Sequence, residues 1–178
     1  MRVKAEHRRK SLENKSLNKE SLPLVLGDFL TELKNADDAE DRQKAAVKIL
    51  NLLSSEFGLP KCRLKLYDER RPTVKGRKPK NASRDMKYWY RGLYEYEPRK
   101  QSLIKIWNIS VCEVVLDGEV IQAERTLSWI HIVNVLLHEF IHHYDIKGLK
   151  IEIDHDLGFW KRFQHLRKLV FSHVNVSK

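Results

Sequence analysis

The feature that most constrains this chain is the stretch SWIHIVNVLLHEFIHHYDI, residues 128–146. Its apolar residues are too dense for a solvated loop. Thr126 or Ser128 offers an N-cap, and Gly148 offers a stop. The stretch predicts one long, strongly apolar helix around which the rest of the domain must assemble. Its second half nevertheless carries His138, Glu139, His142, His143 and Asp145. Unpaired polar groups are expensive in such surroundings, so these side chains need partners.

At about 100° per residue, His138 and His142 lie one turn apart on nearly the same face. That spacing lets two imidazoles reach one ion of tetrahedral preference. Glu139 is rotated by about 100° from His138, close enough to serve a metal-bound water as base without taking a coordination position. With 8 histidines and 14 glutamates in 178 residues, chance predicts about 0.03 occurrences of His-Glu-x-x-His, so the pattern calls for a cause. The competing reading is a helix end that turns polar as it leaves the core. A catalytic zinc needs three protein ligands and an open position. His143, a further 100° or so round the helix, faces elsewhere. Asp145 returns to the ligand side as support or cap. Glu152, Asp154, His155 and Asp156 crowd the start of the last helix, and each is a candidate third ligand. His131, two turns before His138, reads as a buried, hydrogen-bonded core histidine. Tyr144 reads as packing, and His165 and His173 as surface or helix-end residues.

Elsewhere the pattern is mixed. A short helix is predicted from Pro23 to Leu33. A second is capped by the acidic run 37–41, with Ala46, Leu50, Leu53 and Phe57 at helical spacing and Gly58 with Pro60 as its end. Strands are expected at Cys62–Tyr67, Gly92–Tyr96 and Leu103–Trp107. Val114–Ile121 suits either a hairpin around Asp117-Gly118 or an irregular lead-in to the long helix. If the strand 103–107 forms the sheet edge over that helix, an extended peptide can add to it by backbone pairing. A last helix starts at Asp154 or Asp156 and runs through Phe159, Phe163, Leu166 and Val170.

The length allows one domain with a real core. No run reaches the roughly 18–20 apolar residues of a membrane span, and no apolar segment follows the basic N-terminus as in a secretory signal. Cys62 and Cys112 are too few for a disulfide framework or a four-cysteine zinc ribbon. These points suggest a reducing compartment, the cytoplasm or an association with the nucleoid or nucleus. The net charge of +10 favours polyanionic partners, DNA foremost, through counterion release. Two segments concentrate that charge. Residues 1–20 form a basic arm expected to be mobile. Arg70–Arg91 carries nine Lys or Arg against one acid, Asp85, and ends in Tyr88-Trp89-Tyr90. The latter suits either phosphate tracking with base stacking or a solvated loop.

His138-Glu139-x-x-His142, then His155-x-x-x-Phe159-Trp160, resembles the SprT-like zinc metallopeptidases, a family that includes the Spartan and Wss proteases. Gly92-Leu93-Tyr94 and Leu103-Ile104-Lys105-Ile106 are similar to that family's glycine-led hairpin. The resemblance covers roughly residues 60–170. It implies a small α+β, zincin-like domain at 21–178: a helical part at 21–58, then a catalytic core at about 60–172 with a short antiparallel or mixed sheet on the active-site helix. It also implies Zn2+ held by His138, His142 and His155, with Glu139 as general base, a protein or peptide substrate, and action near DNA. Phe159 and Trp160 would pack the last helix against the active-site helix. Asp156 stands where the family usually has glycine, and the appended nucleic-acid modules of many members are missing here. Two rival readings are a nucleic-acid-binding module with structural or vestigial zinc, and a regulatory metalloprotease that cleaves a single partner.

Overall fold

The computed structural model describes residues 16–70, 91–116, 119–151 and 155–174. Most of the basic arm, nearly all of the basic stretch after Arg70, the Asp117-Gly118 turn, Glu152 and Asp154 lie outside the described residues. The architecture is α+β: among the described residues, four α-helices and a small mixed sheet surround one hydrophobic core.

Helices α1 (Val25–Asn35) and α2 (Ala39–Glu56) form a helical layer. Helix α1 buries Leu26, Leu30 and Leu33, one stripe at helical spacing. Helix α2 starts where the Asp38 carboxylate accepts a hydrogen bond from the Asp41 backbone N–H at 2.8 Å. It ends at Phe57, and Gly58 then takes a positive φ of 62° that few other residues tolerate. The described end of the basic arm also belongs to this body. Leu17 is buried in the core, and Lys19 pairs with Glu56 at 2.9 Å. Residues 16–20 therefore lie on the domain, contrary to the expectation of a mobile arm to residue 20.

The sheet contains β1 (Arg63–Arg70), β2 (Gly92–Glu95), β3 (Leu103–Leu116) and β4 (Glu119–Thr126). Strand β3 is its spine. Its first half pairs in parallel with β1 and antiparallel with β2, so that Ile106 has Leu66 on one side and Gly92 on the other. Its second half pairs antiparallel with β4, from Ile109↔Thr126 to Leu116↔Glu119. The hairpin reading of 114–121 thus holds over the irregular one. The edge assignment of 103–107 does not. Both sides of that segment are paired, and among the described residues the strand bordering the long helix with a single neighbour is β2. Alternation alone says which residues point inward and cannot say which strands are adjacent.

Ile104 and Ile106 of β3 and Gly92 and Tyr94 of β2 face helix α3 (Trp129–His143), which buries Ile132, Val133, Leu136, Leu137, Phe140 and Ile141. The helix does not stop at His143. It widens into a π-helical turn, Tyr144–Leu149, closed by Lys150 in the left-handed region with φ 58°. The predicted stop at Gly148 falls inside this turn, where Gly148 packs beside Leu59 and Tyr144. Helix α4 (Leu157–Ser172) then crosses back over α3, with Phe159, Leu166 and Val170 in the core. No helix among the described residues is long and apolar enough to cross a membrane.

Candidate metal centre

Three histidines meet where α3 ends and α4 begins. His138 and His142 project from one face of α3, with ring centroids 5.1 Å apart. His155 arrives from the segment before α4. Its Nε2 lies 2.9 Å from His138 Nε2, and its ring centroid is 4.7 Å from that of His142. One ring nitrogen from each lies within 4.8 Å of the others, close enough to hold a metal ion. His155 is fixed from below by its neighbour, since the Asp156 carboxylate caps α4 by accepting from the Phe159 N–H at 2.6 Å.

Phe159 is the floor of the site. It is fully buried, and its ring lies 4.7–4.9 Å from all three imidazoles. Trp160 also meets the long helix as expected, its ring 5.9 Å from that of His138 on α3 and 6.0 Å from that of His155, and its 43% exposure places it at the rim of the site. This aromatic surround strips water from the imidazoles. Burial, and secondarily the neighbouring His155, lowers the His138 pKa to about 4. Burial, and then His138 and His155, lowers that of His142 to about 3. Both rings are therefore neutral at pH 7, the state in which an imidazole nitrogen can ligate a metal.

The residues fit a metal by a second criterion. His142 is 5% exposed, and its Nδ1 has no hydrogen-bond partner among the described residues. Two facing Nε2 atoms and a buried unpaired ring nitrogen make a poor self-contained hydrogen-bond network. They make a good donor set for a borderline cation, since three imidazoles suit zinc and related transition metals. His155 is exposed, so the cluster opens to solvent on that side.

Glu139 is 6% exposed and lies on the β2 side of α3. Its carboxylate rests against Gly92. A Cβ at Gly92 would overlap Glu139 Oε1 and stand 2.8 Å from Glu139 Cγ. The glycine at the start of the hairpin thus makes room for this side chain. Its position was visible in the sequence, but its purpose was not.

The remaining polar residues do other work. His143 is completely buried, its Nε2 2.9 Å from the Pro60 carbonyl oxygen and its Nδ1 3.1 Å from the Tyr94 hydroxyl. The carbonyl can only accept, so Nε2 carries the proton and Nδ1 accepts from Tyr94. The Tyr94 hydroxyl also lies 2.9 Å from Ser102 Oγ. This network ties α3 to β2, to Pro60 just before β1 and to Ser102 just before β3. Burial lowers the His143 pKa and raises that of Tyr94 to about 12. Asp145 points away from the imidazoles to Arg162, which donates to its Oδ2 at 2.7 Å. Tyr144 packs edge-on against Phe57, as expected. His131 is exposed, contrary to expectation: Ser128 Oγ holds its Nδ1 at 2.7 Å in the first turn of α3. His165 is exposed and donates to the Lys19 carbonyl oxygen, and His173 follows the end of α4.

No protein-family model, curated protein or solved structure matches this chain. Fold and site together define a class on their own terms, an α+β domain in which three histidines lie close enough to hold a metal ion and the residue after the first of them is a buried glutamate.

Proposed function

We propose that the chain is a zinc-dependent metallopeptidase of SprT-like, zincin-like type, with His138, His142 and His155 as ligands and Glu139 as general base. The observation that carries this reading is the convergence of three imidazoles, two of them held neutral by burial, next to a glutamate seated on β2. Zinc at such a centre supplies Lewis-acid polarisation of a carbonyl and a water of near-neutral pKa. Glu139 takes the proton from the attacking water at its carboxylate, and the scissile C–N bond breaks as the same proton passes to the departing amine. Strand β2 supports a way to present the substrate. It borders the site with a single described neighbour, so an extended peptide can pair with its backbone and lie across the histidines. Trp160, at the rim, offers an apolar contact to a side chain of that peptide.

The partner class follows from charge. The net charge of +10 favours proteins held near nucleic acid as substrates. Helix α4 adds to that field, because its exposed Lys161, Arg167 and Lys168 come with no acidic residue on the helix. In the test, purified protein carries about one zinc per chain, and Glu139→Gln abolishes cleavage of an unstructured protein while keeping the metal. Full cleavage by that variant would overturn the mechanism. Salt-sensitive DNA binding with no cleavage of any protein would instead favour a binding module with a structural zinc.

A further inference from the structure

Asp145 and Arg162 are the two charged side chains most completely withdrawn from water among the described residues, each 1% exposed. They meet through Arg162 Nη2 and Asp145 Oδ2 at 2.7 Å. Such a pair is an inefficient source of stability, because desolvating both charges offsets most of their attraction. What a buried pair does well is fix one element against another in a single arrangement. It joins the π-helical turn that continues the helix of His138 and His142 to α4, the helix that His155 immediately precedes. Asp145 lies three residues after His142, and its backbone oxygen also accepts from the Lys150 and Ile151 N–H groups, closing the π-helical turn. Arg162 lies on α4, seven residues after His155 and six after the Asp156 cap.

From this placement we infer that the Asp145–Arg162 pair is the positioning device that sets His155 against His138 and His142, so that metal affinity depends on it more than folding does. This rests on the reading of the histidines as a metal site. The route is short. The ion pair locks α4 to the end of α3, the Asp156 carboxylate fixes the first turn of α4, and His155 is the residue immediately before that cap. Phe159, between His155 and Arg162 in sequence, transmits the same placement by lying against all three rings.

The experiment uses the full chain and Zn2+ as the probe, with affinity measured by competition against a chromophoric chelator and the stability of metal-free protein by urea unfolding. Asp145→Asn and Arg162→Lys are expected to bind Zn2+ about 10–100-fold more weakly than wild type, the usual effect of losing a group that orients ligands. The decisive variant combines Asp145→Leu with Arg162→Met, an apolar pair of similar bulk. It should unfold at a urea concentration no lower than wild type while its Zn2+ affinity stays reduced. A purely structural pair predicts the opposite for this variant, with affinity restored alongside stability, and that result would overturn the inference. If the double variant does not fold, Arg162→Lys decides: it keeps the charge, and wild-type affinity in that folded protein overturns the proposal equally. Wild-type protein that binds no Zn2+ refutes the metal reading itself, an outcome distinct from wild type and variants binding alike.

Discussion

On the proposed reading, replacing Gly92 by alanine tests Glu139 as the base separately from the metal ligands. Gly92 is not at positive φ, so alanine can take its backbone conformation without strain. The difficulty is space. The new Cβ would stand 2.6 Å from Val135 Cγ1 and 2.8 Å from Glu139 Cγ, and would overlap Glu139 Oε1, where ordinary contact begins near 3.4 Å. Strand β2 is held by its ladder to β3, so the Glu139 side chain yields, withdrawing by about 0.6 Å or more. Overpacking of this kind destabilises by about 1–3 kcal/mol, against about 0.4–1 kcal/mol gained by restricting the unfolded chain, so the net loss is small enough to leave a folded protein. The catalytic effect is larger, since misplacing a reacting group by about 1 Å lowers turnover by roughly 100-fold. The imidazoles are held from the other side by Phe159 and should keep their metal. The assay pairs kcat on a peptide substrate with zinc content by elemental analysis. Turnover at the wild-type level would refute the claim that Gly92 makes room for the base. Loss of zinc together with activity would show that the glutamate and the ligands do not move independently.

Two further outcomes follow from the same structure. Asp156→Ala removes the cap on α4 and should lower stability by about 0.5–2 kcal/mol in urea unfolding; because His155 is the preceding residue, Zn2+ affinity should fall in parallel. Alkaline pH should destabilise the protein, because burial raises the pKa of Cys62 from 9.0 to about 12 and that of Tyr94 from 10.0 to about 12. The unfolded chain releases these protons first, so the stability present below pH 9 is lost progressively as pH rises toward 12, and the urea midpoint should decline over that window. A midpoint unchanged across it would refute the assignment of both groups as protonated and buried.

The parts of this molecule that depend on local pattern were legible in its sequence. The apolar run and the His138/His142 spacing required a helix with two imidazoles on one face, and α3 has them. The acidic run 37–41 and the pair Asp154/Asp156 offered caps, and Asp38 and Asp156 supply them. The third histidine was a different matter. Spacing left four candidates downstream, and only a resemblance singled out His155, because a ligand from another segment is a fact of tertiary packing. The same limit explains the strand 103–107. Its alternation marked Ile104 and Ile106 as inward, but parallel pairing with β1 is a long-range event that no local signal encodes. Arg162 carried no signal of its own, since nothing in its helix reveals that Asp145 waits opposite. His131 misled for a related reason. Two helical turns kept it near the face of His138, yet it stays exposed in the first turn of α3, where Ser128 Oγ holds its ring.

The division of the proposed ligands between two segments has a consequence for how the protein matures. His138 and His142 ride one helix and are in place as soon as that helix forms. His155 joins them only when α4 has docked and the turn beyond Asp145 has closed. A part-folded chain thus offers a passing ion two nitrogens instead of three, and tight capture waits for the last helix. An ion that binds only the finished fold then holds that fold closed, by about 4 kcal/mol when present at a thousand times its dissociation constant. On the proposed reading, a metal centre built this way is completed last, when the segment that carries His155 is in place.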